Sequence, residues 1–266
     1  MTERQNQLAK LIQFIGDLDT FGNQNKQMSL LSVAVGTLRK DCSIAVDITQ
    51  ITSTNNDGLG ALALSRILIE DYLHLLFLDS DHAELPQRLD DFNNHPHIEH
   101  YSSMQAMNEW GFDFGDPRVA KTILDQVNKG FEQHKHKFLR RRHPKASFDA
   151  DDYFRTWTKV SLNELITKSG IPSDVGDKKS LQFMTQTYDT ASTIIHHNAF
   201  IIWFLANQDT KMLKSGYPDL ALTISFISLS RTINLVIKIA RDEAKDGNMY
   251  EVEQTRLADI MESFVA

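Results

Sequence analysis

Hydrophobic positions recur along this chain with a helical period, and strand-like alternation bounded by turn signals is nearly absent. Two segments depart from the ordinary amphipathic pattern. LGALALSRILIEDYLHLLFL and YDTASTIIHHNAFIIWFLAN are apolar on most faces, yet each carries a polar stripe at i, i+4 and i+8. The first stripe is Arg66, Glu70 and His74, and the second is Tyr188, Ser192 and His196. At about 3.6 residues per turn each triplet lies along one narrow face, and the remaining faces suit a core. The pattern predicts that these two helices form the centre of a bundle. Their stripes should converge there, because polar groups inside a core must find partners.

Around this pair the pattern predicts further helices. One covers roughly Glu3 to Leu18 with Leu8, Leu11, Ile12 and Ile15 on one face, and a longer one runs from about Asn25 to Ile51. The first striped helix follows the turn cluster TSTNNDG and ends near Leu78, where Asp79-Ser80-Asp81 offers a cap for a helix around Leu85 to Phe92. From Asn93 to Gly115 the periodicity is interrupted by Pro96, Gly111, Gly115 and Pro117, with a helical stretch from Ile98 to Trp110. Asp116-Pro117 restarts a helix carrying Val119, Ile123, Leu124, Val127 and Phe131. A basic stretch, a linker around Ala146 to Asp152 and a short helix near Ser161 to Ser169 come next. The second striped helix spans about Leu181 to Ala206. Tyr217-Pro218 opens a helix to about Ala244, and Tyr250 to Phe264 closes the chain as an amphipathic helix. The whole, residues 1–266, reads as one all-α domain, a multi-helix bundle of about eight to ten helices, with no internal repeat.

Composition changes this picture little. With 41% hydrophobic and 24% charged residues the chain is of ordinary globular make-up and needs no staples. The lone Cys42 excludes an internal disulfide and points to a reducing, cytoplasmic setting. The charged, amphipathic N-terminus lacks the features of a secretory signal. The apolar run from Leu59 to Leu78 is long enough to span a bilayer, but Arg66, Glu70, Asp71 and His74 would make insertion very costly, so no membrane is expected. A formal net charge of −7 argues against broad nucleic-acid affinity.

The candidate chemistry lies mainly on the stripes. Glu70 stands one turn after Arg66, so an ion pair within the helix is expected. Arg66 supplies a planar cationic fork suited to phosphate, and His196 can exchange protons near neutral pH. Glu70 would orient either of them. Tyr188 and His74 would back these groups, and Ser192 lies one turn before His196, within reach of a hydrogen bond but without a visible oxyanion hole. His95, His97, Glu99 and His100 cluster in HPHIEH, but Pro96 disrupts the helix-face spacing, so they read as surface loop histidines; no metal and no cofactor is expected. In HKHKFLRRRHPK, Lys137, Arg140, Arg141 and Arg142 stand with no acid among them. Such a run is ordinarily a solvated linker, and otherwise a contact for the phosphates of RNA, with Phe138 available for stacking.

The Arg-x3-Glu helix SRILIEDYLHLLFL, a basic stretch before a Trp, the run TWTKVSLNELITKSGI and the Ser-x3-His helix YDTASTIIHHNAF resemble, in this order and over about Gly58 to Phe200, an uncharacterised, mainly bacterial family catalogued as a domain of unknown function. The resemblance implies an all-helical fold and shared polar positions at Arg66, Glu70, Ser192 and His196, and it brings no activity. A comparison with helical ribonucleases that place an Arg and a His on one helix with four to six residues between them is met formally by Arg88 and His95 alone. With twelve Arg and ten His, one such match is expected by chance. Two functional classes follow. In the first, a cytoplasmic helical protein binds or cleaves a phosphate-bearing ligand such as RNA in an Arg/Glu/His pocket. In the second, a non-enzymatic module uses its helix faces for homo-oligomerisation and its polar network only for structure.

Overall fold

A computed structural model describes residues 2–17, 29–54, 58–112, 115–140, 143–167, 178–195 and 211–265. It is all-α. Among the described residues there are ten α-helices: α1 Glu3–Asp17, α2 Leu30–Thr54, α3 Leu59–Asp79, α4 Leu85–Asn94, α5 Pro96–Glu109, α6 Pro117–His134, α7 Leu162–Thr167, α8 Lys178–Ile195, α9 Lys211–Ala244 and α10 Glu251–Val265. The chain divides into two compact units, Met1–Ser80 with Gly170–Ala266, and Asp81–Ser169.

In the first unit α3 packs against α2, α8 and α9, as its nearly all-round apolar sequence requires. Leu62, Leu68, Leu73 and Leu78 are fully buried there. Leu38, Ala45 and Ile48 of α2 and Leu229, Ile233, Val236 and Ile237 of α9 supply much of the surrounding core. The Gly216–Ala244 part of α9 is long and apolar enough to cross a membrane, but 72% of its most apolar window is buried inside the protein, as in a core helix. Pro218 does not open α9, as its sequence suggested, but stands inside it, after an additional stretch of helix from Lys211.

The start of α3 explains one glycine. Gly58 caps the helix at φ 61°, and a Cβ there would lie 2.5 Å from the Pro218 ring and 2.8 Å from the Tyr217 carbonyl carbon. Both the left-handed backbone and the close approach demand glycine. Gly58→Ala is expected to cost at least about 1 kcal/mol from the backbone alone, and more from displacing α9. Thermal unfolding of the variant checks this; an unchanged midpoint would show that the α3–α9 approach is loose.

The second unit contains the segment whose periodicity is broken in the sequence. Pro117 opens α6 as expected, and Pro96 likewise opens a helix instead of breaking one; both stand in a first turn, of α6 and α5, where a missing N–H costs nothing. Asp116 caps α6 by accepting from the Arg118 amide at 2.8 Å. Ser161 and Glu164 cap α7 reciprocally, through Glu164 N to Ser161 Oγ at 3.2 Å and Ser161 N to Glu164 Oε2 at 3.1 Å. The small core is aromatic. Ile98, Phe131, Phe138 and Tyr153 are buried, with Tyr101, Leu139 and Phe148 packed against them, and the Tyr101 and Phe131 rings stack at 3.8 Å.

The basic stretch is therefore not a solvated linker over its described part. Lys135–Phe138 forms a 3-10 turn, Leu139 pairs with Tyr153 in an isolated antiparallel bridge, and Phe138 is fully buried. Three of its cations pair with acids outside the run: Lys137 bonds Asp90 at 2.6 Å, Lys135 bonds Glu132 at 2.6 Å, and Lys145 pairs with Asp149. The expected linker that follows is also structured. Ala150–Asp152 is a 3-10 turn, and the buried Asp152 accepts from the Lys145 amide at 2.9 Å.

Candidate functional site

The polar face of α3 meets α8 in the first unit. The Arg66 guanidinium donates through Nε to Glu70 Oε1 at 3.1 Å, holds the same oxygen through Nη2 at 3.0 Å, and donates from Nη2 to the Tyr188 hydroxyl at 2.7 Å. It also lies over the Tyr188 ring at 4.6 Å from the centroid. Tyr188 is thus in direct contact with Arg66. Burial, aided by the hydrogen bond and charge of Glu70 and opposed by Arg66, pushes the Tyr188 phenol up to about 12. The phenol therefore keeps its proton and can bond Glu70 while accepting from Arg66. The triad is not sealed: the Arg66 and Glu70 side chains retain 22% and 30% of their exposure.

Ser192 follows one turn after Tyr188 on α8 and is half-buried. His196, Arg141 and Arg142 lie outside the described residues. His74, one turn after Glu70, is half-buried; burial pushes its imidazole below the usual range, while the carboxylates of Asp71 and Glu70 pull the other way. Lys137 is committed to Asp90, and Arg140 is exposed, with its amide bonded to the Asp152 carbonyl at 2.7 Å. Of the HPHIEH cluster, His95 is buried at the joint between α4 and α5 and His97 stacks on His134 at 4.9 Å, so these two are not surface loop residues. Arg88 and His95 have separate engagements, Arg88 with Glu84 at 2.9 Å and His95 with the Phe154 carbonyl at 3.0 Å.

Beside the triad lies a second ionisable group set that the stripes do not include. Asp41 of α2 is fully buried, and among the described residues neither of its carboxyl oxygens receives a hydrogen bond. Its carboxyl neighbours that of Asp71 on α3, and Lys40 reaches Asp71 Oδ2 at 2.5 Å. Burial first, then the charge of Asp71, push the Asp41 carboxyl up to about 10, against the opposing pull of Lys40. Two carboxyls so placed interact favourably only when one holds a proton. The signal for Asp41 was present in the sequence. Ala34, Leu38, Ala45 and Ile48 share its inward face at spacings of three and four, and Asp41 is the one polar residue in that series. Asp71 had no such signal, because it stands off the Arg66–Glu70 stripe on a helix buried on several sides.

The arrangement can orient a cation toward an anionic ligand, through Arg66, and hold a proton in a dry position, through Asp41 and Asp71. No curated protein and no solved structure matches the chain. A family model matches over residues 31–212, a span that takes in α2, α3 and α8 and with them Asp41, Arg66, Glu70, Asp71 and Tyr188. The chain belongs to the family of unknown function DUF5677.

Proposed function

We propose that the first unit is an anion-recognition module of a cytoplasmic protein, with Arg66 holding a phosphate-bearing ligand and RNA as the polymer it meets. The observation that supports this reading is a guanidinium fixed by Glu70 and by the Tyr188 hydroxyl and ring, yet still open to solvent. A fork held in one orientation loses little entropy when it closes on a phosphate. Glu70 and Tyr188 are its positioning residues, Ser192 adds a hydroxyl one turn away, and His196 is the group that would move a proton if the bound ligand is cleaved. The second reading, a non-enzymatic interaction module, draws on the same geometry: Arg66, Glu70 and Tyr188 satisfy one another without a ligand.

The two readings separate on Arg66→Lys. Lysine keeps the charge but loses the planar fork, so retention of a 5′-phosphorylated oligoribonucleotide should fall by roughly 10–100-fold while the melting temperature changes little. His196→Ala, assayed in parallel, should keep retention and lose any RNA cleavage seen in the wild type. A wild type that neither retains nor degrades RNA, with Arg66→Lys lowering only thermal stability, would leave the polar triad as a structural brace.

A further inference from the structure

The second unit contains a groove of about 500 Å³ that the Arg66 site does not touch. Its volume falls within the roughly 300–1,000 Å³ of small-molecule sites. One wall is a single helix face. Because Pro96 opens α5 instead of interrupting it, His95, Glu99, Ser102 and Ser103 follow at i, i+4, i+7 and i+8, and all four line the groove. The opposite wall is the returning segment, with Phe148, Tyr153 and, at its end, Arg155.

The two walls differ in chemistry. Phe148 is held rigidly: it stacks with Tyr153 at 5.7 Å and meets the edges or faces of Tyr101 at 4.9 Å and Phe131 at 5.7 Å. Such a wall suits a flat ring. The helix wall offers hydrogen-bond acceptors. His95 Nε2 lies 3.0 Å from the Phe154 carbonyl oxygen, which can only accept, so Nε2 carries a proton and Nδ1 faces Glu99 Oε1 at 3.3 Å. With both ring nitrogens protonated His95 donates from Nδ1 as well, and that contact holds the Glu99 carboxyl below its usual range despite partial burial. Glu99 is therefore a fixed carboxylate, 59% exposed on its ligand-facing side chain, with the hydroxyls of Ser102 and Ser103 one turn further on. Arg155 is 77% exposed, its guanidinium bonded at 2.7 Å to the side chain of Asp151, itself 55% exposed.

We propose that this groove binds a nucleotide whose base carries N–H donors, guanine best of all, with the ring on the aromatic wall, the base edge on Glu99 and the phosphate at Arg155. A carboxylate accepts the two parallel N–H groups of guanine, N1–H and the N2 amine, in a bidentate pair. Uracil presents carbonyl oxygens on either side of its one N–H and is repelled by the same group. The serine hydroxyls serve either the base or the ribose, being both donors and acceptors. A free nucleotide and a base in a single strand share this chemistry, and the site is independent of the Arg66 reading.

The test uses the full chain and equilibrium dialysis of GMP, UMP, a guanine-containing single-stranded RNA and an all-uridine RNA. GMP should bind at least about tenfold more tightly than UMP, and Glu99→Gln should remove that preference. Phe148→Ala should weaken binding by about tenfold or more. Since Phe148 also packs in the core, Arg155→Ala serves as the second variant; it is exposed, leaves folding intact and should weaken GMP but not guanosine. Binding of GMP identifies a free nucleotide as the occupant, and binding of the guanine-containing RNA alone, lost in Glu99→Gln, identifies the strand. Absence of binding by any of the four, equal binding of GMP and UMP, or binding unchanged in both Glu99→Gln and Arg155→Ala would overturn the proposal. RNA retention unchanged in Arg66→Lys, with GMP binding present and sensitive to Glu99→Gln, would mark a failure of the first-unit reading alone.

Discussion

Asp41→Asn is expected to be as stable as the wild type at about pH 4 and increasingly more stable as the pH rises toward about 9. The sign follows from the direction of the shift. Asp41 is fully buried with no hydrogen-bond donor on its carboxyl among the described residues, and its carboxyl is raised to about 10 by burial and by Asp71. Below the unfolded value, near 4, both states hold the proton and its stabilising effect is fully present. Between that value and the folded one, the native state keeps a proton that the unfolded chain has released, so stability falls as the pH rises. The limiting slope for one group is about 1.4 kcal/mol per pH unit. Lys40, which opposes the shift, reduces it. Asparagine cannot ionise and still offers an N–H to Asp71, so it imitates the protonated acid and removes the slope. Urea unfolding of both proteins across this pH range measures the difference directly. A constant difference, or a variant that loses stability at high pH as the wild type does, would mean that Asp41 is ionised in the folded protein.

Phe138→Ala should cost about 3–5 kcal/mol, the usual range for removing a buried aromatic ring. Phe138 is fully buried in the middle of the basic stretch, its ring meeting that of His95 at 5.1 Å, with the Lys159 ammonium 5.3 Å from its centroid. The Phe154 amide donates to its carbonyl at 2.9 Å, so the residue also joins the two segments that the Leu139–Tyr153 bridge pairs. In a unit with so small a core the loss should fall on residues 81–169. Hydrogen exchange there should rise while α2, α3 and α9 stay protected, and the melt should become biphasic. A loss below about 0.5 kcal/mol would return the stretch to the surface-linker class.

Charge patterning does not reveal the fold of this stretch, for a definite physical reason. A run of cations without acids is self-repelling only if nothing else balances it, and Asp90, Glu132 and Asp149 pair with three of its lysines here. Asp90 is far away in sequence, so only folding reveals it. Pro96 carries a related ambiguity. Proline marks a helix boundary in either direction, and local sequence does not say whether it ends one helix or opens the next. As the opening residue of α5, Pro96 leaves His95, Glu99, Ser102 and Ser103 on one face.

The amino-acid sequence by itself determined the all-α fold, the central place of α3, and the pairing of Arg66 with Glu70, because helical period and i, i+4 spacing are local properties. It also contained Asp41 as the one polar residue on an inward face of α2. The stripes were expected to converge, but tertiary structure decided that the Tyr188 ring would lie over Arg66, that Asp41 would face Asp71, and that an aromatic segment would return across α5 to form a groove. Each of these joins residues from different elements. Their proximity depends on how helices rotate and slide against one another as they pack, and no spacing within one helix encodes that.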